Sequence, residues 1–200
     1  FAMYHVDPDH KEREFLTLDE LTAMTEIKLE DPNMAFARDL FVFGCWTGIS
    51  FIDTKNLTED KISMINGAPW IVSKRQKTGV PFQVKLMDIP MRIVERYKPL
   101  RKDCHLFNIG RLDTINKRIK KVAAMCGIKK RISYHVSRHT FAVLSLEYGM
   151  PIETVSKILG HTNITTTQIY AKVTSSKLEH DISVFESRIK GHLPTMGGMA

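Results

Sequence analysis

The chain has 200 residues, 43% hydrophobic and 26% charged, with 29 Lys and Arg against 22 Asp and Glu and a formal charge of +7. These proportions suit one folded domain with a real core, and the basic surplus favours an acidic partner such as nucleic acid. The three cysteines lack any CxxC pair, no secretory signal pattern opens the sequence, and no apolar run reaches bilayer length. A disulfide scaffold and a membrane span are therefore argued against, and a reducing cytoplasm is expected.

Residues 1–14 are polar and aperiodic and read as a linker. Thr17 and Glu20 have capping-box spacing and should open a first helix. "DPNMAFARDLFVFGCWTG" predicts a buried helix from about Pro32 or Asn33 to Gly48. Two turn signals, Asn66-Gly67 and Lys77-Thr78-Gly79, then divide β-favouring runs into an expected three-stranded antiparallel sheet at about 60–65, 69–75 and 81–86. Helices follow over about 88–98, 111–126, 137–148, 152–159 and 175–190, with stops at Gly127, Gly149 and Gly160. Met34, Met64 and Met91 lie on apolar stretches and read as core filler. Leu178, Ile182, Phe185 and Ile189 form an amphipathic stripe on the last helix. The expected architecture is mainly α with a small three-stranded antiparallel β-sheet, in one domain over 15–190, with 191–200 a disordered tail.

Two clusters carry chemistry. In "SYHVSRHTFA", His135, Arg138 and His139 fall within one helical turn. His135 and His139 have the spacing of a zinc helix, but the glutamate that would activate water is missing and an arginine stands between them, so no metal is expected. His135 with Arg138 suits a phosphate instead. In "SKILGHTNITTTQIYAKV", His161 follows the stop at Gly160 and Tyr170 comes nine residues later, beyond Thr162 and Thr165 to Thr167. Alone, that stretch is a polar loop with a capping histidine.

Together with the Lys77 turn, the order His135-x-x-Arg138, Leu159-Gly160-His161, Tyr170 resembles the C-terminal signature of the tyrosine recombinases, or phage-type integrases. The resemblance covers roughly residues 13–190 and implies the DNA breaking-and-rejoining fold of that family's catalytic domain. It implies Tyr170 as the nucleophile that leaves a 3′-phosphotyrosine, Arg138, His135 and His161 as phosphate donors, and Lys77 as the general acid for the departing 5′-oxygen. These residue types match the need: a phosphodiester repels nucleophiles through its charge, and a permanently charged planar fork neutralises it best. The resemblance implies no cofactor. It implies duplex DNA as partner, tetramers on paired sites with accessory DNA-bending proteins as possible company, a missing N-terminal DNA-binding domain, and a last helix that docks in cis or on a neighbouring protomer.

The pattern departs at one place. In "TGISFIDTKNL" Ser50 stands where the family carries its first catalytic arginine. Integrases of Bacteroides-type mobile elements share this "TG…D…NL" phrase, which favours an active enzyme. Arg75 is the preferred substitute, since it lies two residues before Lys77 on a strand whose alternate residues share a face. Arg38, on the buried helix, is the second candidate. Lys117, Lys120, Lys121, Lys129, Lys130 and Arg131 precede the histidine-arginine helix and are expected to contact the DNA backbone. The alternatives are a DNA-binding relative without chemistry and a type IB topoisomerase-like enzyme.

Overall fold

The computed structural model describes residues 14–171 and 175–190, by backbone alone at 175–178 and 180. The expected linker, apart from its last residue, and the expected tail lie outside the described residues.

Helix α1 (Leu18–Glu26) starts where its capping box does: Thr17 Oγ1 accepts the Glu20 N–H at 3.2 Å, and Glu20 Oε2 accepts the Thr17 N–H at 2.8 Å. Helix α2 (Pro32–Thr47) opens on an Asp31 cap with proline in its first turn, and closes at Gly48 in the left-handed conformation. From Ala37 to Thr47 it is buried on almost every side, as a central helix must be. Around it pack α1, α4 (Asp88–Tyr97), α5 (Leu112–Met125) and α6 (Tyr134–Glu147). Helices α2 and α6 meet at Gly44, where a Cβ would lie 2.3 Å from Ser137 Oγ and 3.2 Å from the Tyr134 hydroxyl.

Strands β1 (Ile62–Ile65), β2 (Ala68–Lys74) and β3 (Pro81–Lys85) form an antiparallel sheet in chain order. The register aligns Ile62, Ile71 and Val84 in one row, and Ile71 and Val84 enter the main core. Helix α7 (Ile152–Leu159) packs on β3 and α6. It shares with α6 a second, small core of Phe141, Ala142, Leu146, Val155 and Leu159. A short α8 (Thr165–Gln168) and then α9 (Ser175–Ile189) follow.

The mainly α architecture and the three-stranded sheet are as expected, and four details differ. Helix α6 begins at Tyr134, three residues before the predicted start. Its Ser133 cap makes no side-chain bond; Asn116 Oδ1, from α5, accepts the Tyr134 N–H at 2.7 Å instead. A single-turn helix α3 (Phe51–Lys55), capped by Ser50, and α8 had no periodicity to reveal them. Met64 is not core filler: it is 68% exposed at the hairpin end of an edge strand, whereas Met34 and Met91 do pack against the core. On α9, Ile182 and Phe185 are exposed, and the Leu178 side chain lies outside the described residues.

Helix propensity alone would make Gly44→Ala stabilising by about 1 kcal/mol. The contact with Ser137 and Tyr134 reverses the sign, because overpacking a close helix crossing costs about 1–3 kcal/mol. Chemical denaturation should show a lowered midpoint, partly recovered when Ser137→Ala is added. A midpoint raised by Gly44→Ala would mean the two helices are not in close contact there.

Candidate active site

Helix α6 places His135, Arg138 and His139 on neighbouring turns, His135 exposed and the other two buried. Arg138 is anchored by main chain. Its Nη1 donates to Gly48 O at 2.7 Å and its Nη2 to Leu159 O at 2.6 Å. Both carbonyls belong to helix C-termini, where unpaired acceptors and the helix dipole favour a cation. Two of five guanidinium donors are thus spent on position. Gly48 is required here twice over: its φ is +67°, and a Cβ would meet Phe141 and Leu159 at under 3.0 Å. Burial first, and the positive charge of Arg75 second, push the Arg138 guanidinium down to about 9, with Tyr170 and Asp53 acting the other way. Arg138 therefore stays charged at neutral pH and sits within electrostatic reach of Arg75, Asp53 and Tyr170.

Arg75 enters from the β2–β3 hairpin. Its N–H donates to Val80 O at 2.9 Å and its carbonyl accepts the Gly79 N–H at 2.8 Å, so it is the last paired residue before the tip. Ile71 and Ser73 share its parity, which directs Arg75 to the inner face. The side chain is fixed on three sides. Arg75 Nη1 lies 2.7 Å from Asp53 Oδ2, an ion pair whose angle does not make an aligned hydrogen bond. The guanidinium lies 5.6 Å from the centroid of the Phe82 ring. Its stem runs under Gly160, where a Cβ would lie 2.8 Å from Arg75 Cγ and φ is +60°. Burial lowers the Arg75 pKa, and the Asp53 charge partly restores it.

Asp53 is the residue that sequence reasoning passed over. It is buried at the end of the first turn of α3, accepts the Ser50 hydroxyl at 2.5 Å and accepts the Gln76 N–H at 2.8 Å. One carboxylate thus ties α3 to the hairpin and neutralises part of the Arg75 charge. The aspartate of the "TG…D…NL" phrase was its only sequence signal. Ser50, in the place of the missing arginine, caps α3 and bonds Asp53.

His161 follows the α7 stop, and its Nδ1 is 2.8 Å from Thr167 Oγ1, a fully buried hydroxyl of α8. Tyr170 is half-buried and packs against the small α6–α7 core. The ring centroids of His135 and His139 are 4.4 Å apart and those of His139 and Tyr170 5.4 Å. The other predicted residues fall elsewhere. Lys77 is exposed on the hairpin tip, because strand alternation ends at Arg75. Arg38 does not join the cluster: its Nη1 donates to the Met24, Thr25 and Ile27 carbonyls and its Nε pairs with Asp39, so it closes α1. Lys117, Lys120, Lys121, Lys129 and Arg131 are exposed, whereas Lys130 donates to Phe15 O at 2.9 Å and Glu20 Oε2 at 2.6 Å. Lys130 fastens the start of the domain instead of facing a ligand. Among the described residues, metal-type donors gather at Asp103, Cys104 and His105 on an exposed loop.

The family model described as "Phage integrase family" matches residues 14–177. The tyrosine recombinase XerD of Staphylococcus aureus is 28% identical over 192 residues, covering 90% of this chain and 65% of that protein. Among solved structures, the XerH site-specific recombinase in its post-cleavage complex with palindromic difH substrate superposes with a TM-score of 0.71 at 20% identity, over 88% of this chain and 54% of that one. The catalytic domain of bacteriophage HP1 integrase gives 0.61 at 22% identity, over 86% and 95%. At these identities the structures establish likeness of fold. The chain spans less than two thirds of the length of the curated relatives it matches.

Asp53→Asn would leave the Arg75 guanidinium, within electrostatic reach of Arg138, without the carboxylate it pairs with. Breaking a buried pair costs about 3–5 kcal/mol. Thermal melts should show a large drop that inorganic phosphate partly recovers and chloride at equal ionic strength does not. A drop indifferent to the anion would mean the two guanidinium groups do not form one receptor.

Proposed function

The chain belongs to the phage integrase family, and on that premise we propose that it is the catalytic domain of a tyrosine-type site-specific DNA recombinase, acting in the integration or excision of a mobile element. The observation that carries this reading is the placement of Arg75. Where Ser50 leaves the family's first arginine vacant, a second, largely covered guanidinium enters from the hairpin, paired with Asp53 and within electrostatic reach of Arg138.

In this reading Arg75 and Arg138 bind the oxygens of the scissile phosphate, with His135 and His161 adding hydrogen bonds. The Tyr170 hydroxyl oxygen attacks phosphorus as its proton passes to solvent. The bond from phosphorus to the 5′-oxygen breaks, and Lys77, swung in from the hairpin tip, protonates that leaving oxygen. A 3′-phosphotyrosine results. A 5′-hydroxyl of the partner strand then attacks it, giving its proton to Lys77, while the departing Tyr170 oxygen takes a proton from solvent. One phosphodiester is exchanged for another, so no ATP is required.

Lys117, Lys120, Lys121, Lys129 and Arg131 are exposed and support contact with the DNA backbone, which would make binding steeply salt-dependent. The exposed Ile182 and Phe185 support docking of α9 onto a neighbouring protomer in an assembly on paired sites. No described helix is long and apolar enough to cross a membrane, in keeping with work on DNA in the bacterial cytoplasm.

The test uses full-length protein and a nicked duplex carrying the element's end, scored for an SDS-resistant adduct. Tyr170→Phe should give none. Arg75→Ala and Arg138→Ala should each slow adduct formation by about 100- to 1000-fold. Arg38→Ala should lower the melting temperature instead, and Ser50→Arg added to Arg75→Ala should recover part of the rate. No adduct on DNA that the protein binds would leave a DNA-binding relative; relaxation without exchange between marked sites would indicate a topoisomerase.

A further inference from the structure

The scheme above leaves the buried imidazole of His139 unused. His139 is 7% exposed, next in sequence to Arg138 and in ring contact with the nucleophile. Its ring meets Tyr170 at 5.4 Å with planes tilted by 50°, and meets His135 edge-on at 4.4 Å. Such tilted and edge-to-face arrangements are the preferred aromatic geometries and hold ring orientation better than aliphatic contact does.

Tyr170 needs such support. It follows α8, a helix of four residues, and one turn of helix is a weak anchor on its own. What the ring packs against, including the small α6–α7 core and His139, therefore helps to set its place. Helix α6 supplies both Arg138, the phosphate donor, and His139, in consecutive positions. One rigid element would then set the phosphate and the attacking ring relative to each other. Attack on phosphorus is sensitive to this: a displacement of about 1 Å costs on the order of 100-fold in rate. An imidazole is also costlier to bury than the hydrocarbon of the adjoining core, which argues that the ring is more than filler.

We propose that His139 is a positioning residue for the nucleophile, its ring seating Tyr170 against the phosphate site that Arg138 defines. The proposal rests on the recombinase reading for the identity of the nucleophile, and the geometry of the seat can be tested without catalysis. Two measurements in full-length protein separate the two questions. The first is the rate of SDS-resistant adduct formation on the nicked duplex, beside the DNA dissociation constant. The second is the fluorine NMR spectrum of 3-fluorotyrosine installed at position 170, taken without DNA.

His139→Ala should slow adduct formation at least about tenfold, leave the DNA dissociation constant within about twofold, and broaden or split the fluorine line. His139→Phe, which keeps a flat ring, should return the rate to within about threefold and restore a single sharp line. Should His139→Ala melt early, His139→Leu takes its place with the same expectation. Unchanged rate and line in the ring-deleted variant overturn the proposal. So does an equal loss of rate in the Ala and Phe variants with sharp lines in both, since the ring would then not be seating the tyrosine. If wild type forms no adduct on DNA it binds, the recombinase reading fails, while the fluorine line still reports whether His139 holds the Tyr170 ring.

Discussion

A cation buried between two helix ends is the constraint on which the rest of this structure depends. Arg138 is 6% exposed, and its fork reaches the last carbonyls of α2 and α7 at once. Those carbonyls would otherwise be unpaired, and the dipoles behind them favour positive charge, so three helices are fixed by one side chain. The compensation is incomplete. Burial first, and the neighbouring Arg75 second, still bring the guanidinium down to about 9. The same group that organises α2, α6 and α7 is, in the proposed reading, the one that would bind the phosphate.

In the proposed reading the second charge at this site comes from the hairpin instead of the helix. Ser50 cannot neutralise a phosphate oxygen, but it caps α3 and bonds Asp53, and Asp53 in turn holds both the Gln76 amide and the Arg75 guanidinium. The hairpin is drawn onto α3, and strand parity delivers Arg75 to the inner face. Phe82 beneath it and the absent side chain of Gly160 leave room for the arginine to lie in place. Each contact is modest alone. Their convergence on one side chain is what holds Arg75 on the inner side of the hairpin.

Local rules made much of this chain legible. The Thr17–Glu20 capping box, the Pro32 start and Gly48 stop of α2, and the Asn66-Gly67 hairpin all formed as their spacing required, because each depends on a few consecutive residues. The ordered motifs from Lys77 to Tyr170 were likewise visible. What failed were inferences that needed a partner distant in sequence. Helix α6 starts at Tyr134 because Asn116 reaches across from α5. Arg38 is occupied because α1 ends beside it, and Lys130 because Phe15 and Glu20 come within reach. Met64 is exposed on β1, an edge strand whose only paired neighbour among the described residues is β2.

By itself, then, the sequence determined the elements, their order and the residue types able to grip and attack a phosphodiester, since periodicity, turn chemistry and motif spacing are local properties. Only the tertiary structure separates the two candidate arginines, pairing Arg38 with Asp39 and Arg75 with Asp53. Arg75 and Asp53 are 22 positions apart, and nothing short of the folded hairpin brings their charges to 2.7 Å. The same holds for His139, which sequence spacing alone leaves as a structural neighbour of Arg138. Its contact with Tyr170, 31 positions away, exists because α7 and α8 fold the chain back onto α6.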